Sequence, residues 1–552
     1  MLEIKVVPRV YIRPFSFFKG VFLWKGVLIM SKKNFYISTA IAYSSAIPHL
    51  GNVYETILAD AIARFKRLDG YNVYFQTGTD EHGQKIEQRA RDNEISPLVY
   101  VDQITNETIR IYDRVNISYD KFVRTTNEFH VSAVQNIIDR LHEKGDIYLG
   151  EYEGWYSIAD EAFISEDDIV DGKGPSGDEP IWMKEEVYFF KLSKYQERLV
   201  KHINENEEFI MPKSRKNEML QNFLSDKLPD LSISRTSFKW GIPFKFDEDH
   251  VTYVWMDALS NYITGLGFDG YNKDTEMMNK FWPANIHLIG KDILRFHTIY
   301  WPILLMALDI ELPKTIFGHP WLLFDRSKMS KSTNNVVYVD ELLKHFPVDV
   351  LRYYLLHEVP YAQDGNYTHE LLIERNNTDL TNTIGNLVNR TAGMINKYRD
   401  GVVRKVLLDD EPFEYSLKDK ALEMLPNMQK HMETYHVSSA LEEVLILSRA
   451  ANKYIDISKP WELNKDEDKS DVLDHVLYSL LETVRYVAVG LLPFLPETAE
   501  KIFKMLKIED YTFESLNEFG LFKEQTLGDI EVLFERYDSN KKIEEIVGNK
   551  NE

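Results

Sequence analysis

The chain contains no cysteine. That excludes disulfides, thiolate zinc sites and cysteine nucleophiles, and it fits a reducing compartment. It also lacks any uninterrupted apolar run of about 20 residues, the length a membrane-spanning helix needs. Residues 17–30 come nearest, but Lys19 and Lys25 interrupt them and no small-residue cleavage site follows, so they do not read as a signal peptide. Positive charge is scarce: 65 Lys and Arg stand against 87 Asp and Glu, a formal net charge of −22. Such acidity opposes nonspecific nucleic-acid binding, so a nucleic-acid partner needs a local basic or aromatic surface set against that field. Histidine is absent between residues 143 and 201. With no cysteine either, a zinc site of the usual ligand type is excluded from that stretch.

What is present is an ordinary globular balance, 44% hydrophobic and 28% charged, over 552 residues. That length suits about three to four domains. The run Phe35, Tyr36, Ile37 predicts a buried strand over 34–40. A helix over 49–68 follows, with Val53, Ile57, Ala61 and Phe65 on one face and Gly70 past its end. A strand over 71–76 and a polar loop over 77–83 complete the opening of a parallel α/β sheet. Residues 150–245 break the rhythm with Gly, Asp, Glu and short aromatic strands. Within them, Glu166, Asp167 and Asp168 read as a solvated turn rather than a metal site. The α/β pattern resumes at Tyr253 and over 285–289. From about Leu371 the spacing turns helical, through Leu380, Ile384, Leu387 and Val388 and then Leu441, Val444 and Leu445, which predicts a helix bundle. The charged tail from Ser539 is expected to fray.

Two segments carry chemistry. Pro48-His49-Leu50-Gly51-Asn52 sits between a strand and a helix. A helix start offers free N–H groups and positive dipole to phosphate. Gly51 lacks a Cβ, so a flat adenine can lie against the backbone, and His49 and Asn52 can donate to phosphate oxygens. Alone, such a turn is more often structural. The second segment is Lys328-Met329-Ser330-Lys331-Ser332. Its two ammonium groups and hydroxyls suit a triphosphate, because phosphoryl and nucleotidyl transfer rely on fixed positive charge. Alone, it is more often a solvated basic loop.

Together the two segments resemble the signature motifs of class I aminoacyl-tRNA synthetases. The second motif matches at all five positions, whereas the first carries Asn52 where a second histidine is usual. Asn52 can donate a hydrogen bond but cannot carry charge. Further segments, Thr77-Gly78-Thr79-Asp80-Glu81-His82-Gly83, Tyr253-Val254-Trp255-Met256-Asp257-Ala258, Ile289-Gly290-Lys291-Asp292 and Phe296-His297, resemble the methionyl-tRNA synthetase family in its bacterial form. The resemblance runs from about Lys33 to at least Trp461.

That resemblance implies an α/β, Rossmann-like catalytic domain with an inserted connective domain, followed by a helical bundle. The expected division is 30–145 and 249–325 for the two catalytic halves, 146–248 for the insert, 326–378 for the region of the lysine motif and 379–552 for the anticodon-binding bundle. Residues 1–29 are expected to be an extension without a role in the fold, with Met30 the natural start. ATP is expected to meet His49, Gly51, Asn52, Gly290, Asp292, Lys328, Ser330, Lys331 and Ser332. Of these, His49, Asn52, Lys328 and Lys331 are expected to be catalytic, with magnesium accompanying the nucleotide and no zinc. Methionine is expected to lie among Ile41, Tyr43, Asp80, Trp255, Ala258, Leu259, Tyr262 and His297. An apolar slot with aromatic walls suits a polarizable thioether, and Asp80 can pair with the α-ammonium. Leu259 stands where relatives carry proline.

Asn386, Arg390 and Trp461 match positions that read the CAU anticodon in the family. Splayed loop bases are stacked on aromatics and hydrogen-bonded along their edges, and Asn386 and Arg390 are four apart on one helical face. The implied partners are tRNA(Met), including the initiator, with methionine and ATP, in a cytoplasmic monomer that touches no membrane. The monomer expectation follows from the chain ending at Glu552, before the dimerising domain that the family often carries. The alternatives are a class I synthetase for another amino acid, a small-molecule nucleotidyltransferase, and a noncatalytic RNA-binding protein. The insert is too short for the large editing domain of leucyl, isoleucyl or valyl enzymes. The bundle residues and the lysine motif speak against the second and third.

Overall fold

A computed structural model describes residues 32–158, 162–164, 166–175, 177–328, 336–408, 410–413 and 416–548. The expected extension 1–29 lies outside the described residues, as do Ser330, Lys331 and Ser332, and of Lys328 only the backbone is described.

The centre is a parallel sheet. Asn34–Thr39 pairs with Asn72–Asp80 on one side and with Ile286–Gly290 on the other. Lys121–Arg124 extends the first side; Ile316–His319 and then Ile210–Met211 extend the second. Every one of these pairings is parallel, and Tyr36 and Ile37 are fully buried. That is the reason for the continuous apolar run, since a sheet covered on both faces has no polar side to alternate with. Because the chain builds outward in both directions from Asn34–Thr39, a crevice opens at the carboxyl ends of that strand and of Ile286–Gly290. Open α/β sheets bind ligands at such switch points.

Several expectations change here. The polar stretch 77–83 is not all loop, because the strand runs on to Asp80. Thr77 and Thr79 are fully buried, and their hydroxyls are satisfied by Thr39 at 2.8 Å and Thr105 at 3.1 Å. Gly78 lets the neighbouring strand approach: a Cβ there would stand 2.1 Å from the Val123 carbonyl oxygen. Residues 146–248 feed three sheets, one of them the short antiparallel pair of Ser234–Arg235 with Val251–Thr252. The hairpin Ile147–Ser157 with Ile181–Phe190 forms an antiparallel sheet with Ala162–Ile164 and Leu231–Ser232. Ile210–Met211, from the same range, belongs to the parallel sheet. The tail does not fray at Ser539. It forms the helix Ser539–Gly548, which buries Ile546 and sets the Lys542 ammonium 4.8 Å from the Tyr537 ring centre.

The C-terminal part is helical, with Leu417–Glu433, Val437–Ser458 and Ser470–Leu491 as its long members. It is not a separate bead. Phe35 and Ile57 of the catalytic part, Leu351 and Tyr354 of the helix Val348–Glu358, and Leu441, Val444 and Leu480 of the bundle belong to one hydrophobic core. A buried polar knot pins the same joint. The Arg352 guanidinium donates to Asp60 on the first helix at 2.8 Å, to the Val115 carbonyl at 2.9 Å and to the Phe494 carbonyl at 2.8 Å. Burial pushes the Asp60 carboxyl up, but Arg64 and Arg352 beside it hold it at about 2.

Candidate active site

The first helix, Leu50–Leu68, starts at the crevice, and His49 is its N-cap. The His49 Nδ1 accepts from the backbone N–H of Gly51 at 3.1 Å and of Asn52 at 3.4 Å. The Asn52 Oδ1 accepts in return from the His49 N–H at 3.2 Å. This reciprocal box satisfies helix-start donors that would otherwise go unpaired. It also fixes the chemistry. An imidazole nitrogen that accepts from N–H carries no proton, so His49 keeps its proton on Nε2, and Asn52 is left with its NH2 as donor. Gly51 has a role the sequence did not disclose: a Cβ there would meet the His49 ring at 3.0 Å. The glycine lets the histidine fold back over its own helix.

The Leu50 N–H donates to the Val337 carbonyl at 2.9 Å. Val337 lies just beyond the lysine motif, so the exit of that segment is bonded to the helix start that carries His49. At its entrance, Lys328 is paired with Leu323 in an antiparallel turn of strand.

His49, Gly51, Asn52, Gly290 and Asp292 line one cavity of about 930 Å³, together with Ile41, Tyr43, Asp80, Trp255, Ala258, Leu259, Tyr262 and His297. Every described side chain expected to meet ATP or methionine therefore faces one cleft. Tyr43 pairs in register with Asp80 at the end of the sheet. The apolar wall comes from Val254–Thr264, which places Trp255, Ala258, Leu259 and Tyr262 on one helix. Trp255 stacks on Phe296 at 3.8 Å between ring centres.

The histidine beside this wall is neutral. The His297 Nδ1 lies 3.0 Å from the Ile293 carbonyl, which can only accept, so the proton sits on Nδ1. The His297 Nε2 then accepts from the Tyr262 O–H at 2.7 Å. Burial lowers His297 to about 4, an effect that the Ile293 carbonyl and Asp292 only partly offset. Below it, His287 is held well under the usual imidazole range by burial and by His297. The Trp301 indole donates to the His287 Nε2 at 3.2 Å, and the Ser38 hydroxyl lies 2.6 Å from its Nδ1. The slot is thus walled by uncharged rings whose polar atoms are already paired, a setting for a thioether rather than an ion.

Sequence reasoning missed several groups. Asp257, on the same helix between Trp255 and Ala258, is buried between His82 and His130, with oxygen–nitrogen distances of 2.7 Å to each. Burial raises its carboxyl, but His82 and His130 hold it below the usual carboxylate range. The cluster ties the segment after Asp80 to the helix of the apolar wall. Glu55 and His319 also line the cleft and meet at 2.9 Å. Glu55 was legible in principle, because it lies one turn beyond Asn52 and Gly51 on the same helix face.

Asn386, Arg390 and Trp461 do not line this cleft. Asn386 and Arg390 lie on Asn386–Arg399, against Val437–Ser458. The Asn386 side chain donates to the Asn452 Oδ1 at 3.0 Å, and Arg390 pairs with Asp456 at 2.7 Å. Asn452 and Asp456, themselves four apart, match the spacing of the residues they hold. Trp461 is 39% exposed.

Known proteins share this arrangement. Residues 35–180 and 174–392 match the family profile described as tRNA synthetases class I (M). Residues 410–541 match the anticodon binding domain of methionyl tRNA ligase. The methionine–tRNA ligase of Clostridium acetobutylicum is 52% identical over 517 residues, 93% of this chain and 80% of that protein. That of Bacillus subtilis is 46% identical over 529 residues, covering 93% and 79%. The structure of Mycobacterium tuberculosis methionyl-tRNA synthetase in complex with methionyl-adenylate superposes with a TM-score of 0.86 at 41% identity, over 91% of this chain and 100% of that one.

Proposed function

Because the chain belongs to the methionyl-tRNA synthetase family, whose methionine–tRNA ligase activity is its own, we propose how its residues divide that work. In the reaction, the methionine carboxylate attacks the α-phosphate of ATP in line, pyrophosphate leaves, and methionyl-adenylate forms. A ribose hydroxyl of the terminal adenosine of tRNA then attacks the acyl carbon, and AMP departs. No protein nucleophile is required, so catalysis comes from positioning and charge neutralisation.

The His49 Nε2–H and the Asn52 amide donate to phosphate oxygens at the helix start. Gly51 leaves room beside them, and Gly290 and Asp292 meet the ribose. Lys328 and Lys331 neutralise the departing pyrophosphate, and Ser330 and Ser332 bind ATP beside them. Asp80 takes the methionine ammonium, Ile41 and Tyr43 complete the slot, and Trp255, Ala258, Leu259, Tyr262 and His297 hold the thioether. The observation that carries this reading is the single cleft lined by both residue sets. Magnesium accompanies the triphosphate. Among the described residues no group of three or more His, Asp or Glu is arranged to hold a metal ion, and a cation bound chiefly by phosphate oxygens and water needs none.

Asn386, Arg390 and Trp461 read the anticodon, of elongator and initiator tRNA(Met) alike, and the protein works as a cytoplasmic monomer. Among the described residues no helix is long and apolar enough to cross a membrane. The test is methionine-dependent pyrophosphate exchange. Lys331→Ala is expected to slow it roughly 100-fold or more, because it removes fixed positive charge from the leaving group. Exchange near the wild-type rate in that variant would refute the assignment.

A further inference from the structure

Lys291 stands between Gly290 and Asp292, the two residues proposed to meet the ribose, yet it does not line the cleft. Its ammonium lies 2.7 Å from both carboxylate oxygens of Asp364. It also lies 4.1 Å from the centre of the Trp321 ring. Asp364 Oδ1 accepts the Trp321 backbone N–H at 3.0 Å as well. The two charged side chains are only 16% and 28% exposed, so solvent and salt screen this pair less than an open surface bridge. Charge, carboxylate and ring make one three-part contact.

Its position in the fold gives the contact a use. Asp364 immediately precedes the strand Gly365–Tyr367. That strand runs parallel to Leu322–Phe324, which pairs in turn with Ser327–Lys328, the root of the lysine motif. The Gly365 N–H also donates to the Trp321 carbonyl at 2.9 Å. Lys291 therefore bonds the turn that bears Gly290 and Asp292 to the small sheet from which the lysine segment departs. Trp321 itself lines the cleft, so the ammonium over its ring also steadies a wall of the nucleotide site.

We infer that Lys291 and Asp364 form a clamp that sets the separation between the ribose turn and the lysine segment, with Lys291 a positioning residue for ATP in adenylate formation. The inference rests on the ATP site proposed above. An ATP held by its ribose at one end and by ammonium groups at the other presents its α-phosphate correctly only if the two ends keep their spacing. Misplacement of about 1 Å can cost on the order of 100-fold in rate.

The test uses the full chain in methionine-dependent pyrophosphate exchange. Lys291→Met keeps the aliphatic stem over Trp321 and removes the charge, and Asp364→Asn keeps the shape. Each is expected to lower kcat/KM for ATP about 10- to 100-fold, while KM for methionine stays within about 2-fold. The double variant is expected to be no worse than the weaker single variant, because both remove the same contact. Wild-type ATP kinetics in either single variant would overturn the clamp. So would an equal change in KM for methionine, or effects that multiply in the double variant. Should melting show that the single variants fold poorly, Lys291→Arg decides: exchange above that of Lys291→Met supports the clamp, and exchange no better overturns it. His49→Ala run in parallel separates the two readings. Wild-type exchange in His49→Ala sinks the ATP site itself. Its loss beside an unimpaired Lys291→Met sinks only the clamp.

Discussion

The cleft and the proposed anticodon face are both built from polar groups held by partners, but the partners differ in burial. The Tyr262–His297 hydrogen bond in the cleft and the Asp257 cluster behind its apolar helix are almost wholly sealed from water. On the bundle, Arg390 and Asp456 meet with side chains 29% and 64% exposed. A buried pair is costly to leave half-made, whereas an exposed one exchanges readily with water. The difference suits the two ligands. On the proposed assignment, a small amino acid finds its slot already shaped, while splayed bases displace the side chains that greet them.

The sharpest way to break this comparison is at Trp461. Trp461→Ala removes a stacking platform worth about 1–3 kcal/mol per base, so the kcat/KM of aminoacylation is expected to fall roughly 30-fold while pyrophosphate exchange stays unchanged. A parallel fall in exchange would mean that the two regions are not separable. Within the cleft, Tyr262→Phe leaves His297 without its donor inside a buried wall. KM for methionine is expected to rise roughly 10-fold, with little change in KM for ATP. An unchanged KM for methionine would show that the sealed hydrogen bond does not shape the slot.

The smallest effect is expected at the joint between the regions. Asp349 is buried and accepts from the Thr498 N–H and hydroxyl at 2.6 and 2.7 Å. Burial raises its carboxyl to about 6, against the smaller opposing effects of Thr498 and Arg352. The unfolded chain deprotonates near the ordinary value of 3.8 and the folded chain only near 6, so stability falls as pH rises through that window and is flat above it. Asp349→Asn is therefore expected to stabilise the protein by on the order of 1 kcal/mol at neutral pH and by nothing below about pH 4. Urea unfolding of wild type and variant, compared at equal pH at 7.5 and at 3.5, reads this directly.

Local signals made the opening of the fold legible. The apolar run 35–37, the helical spacing after His49 and the turn at Gly70 each follow from neighbours in sequence. What stayed hidden depends on partners far along the chain. Thr77 and Thr79 look like loop residues because their hydroxyls are polar; pairing with Lys121–Arg124 makes them strand residues, and Thr39 and Thr105 help satisfy the buried hydroxyls. Ile210 and Met211 give too short a signal to betray a place in the parallel sheet. The charged tail concealed Ile543 and Ile546, whose spacing is enough to dock one helix face. At the site, His49 and the lysine motif were readable as types of chemistry. Which nitrogen of His49 keeps its proton, and why Gly51 must lack a side chain, required the geometry of the cap.

The continuous core between sheet and bundle has a practical consequence. The first helix presents His49 to the cleft while Ile57 and Phe65, farther along it, lie in the core shared with the long helices of the bundle. A fragment cut before the bundle would keep the described lining of the cleft yet lay bare a greasy flank, and would be prone to clump rather than to work alone.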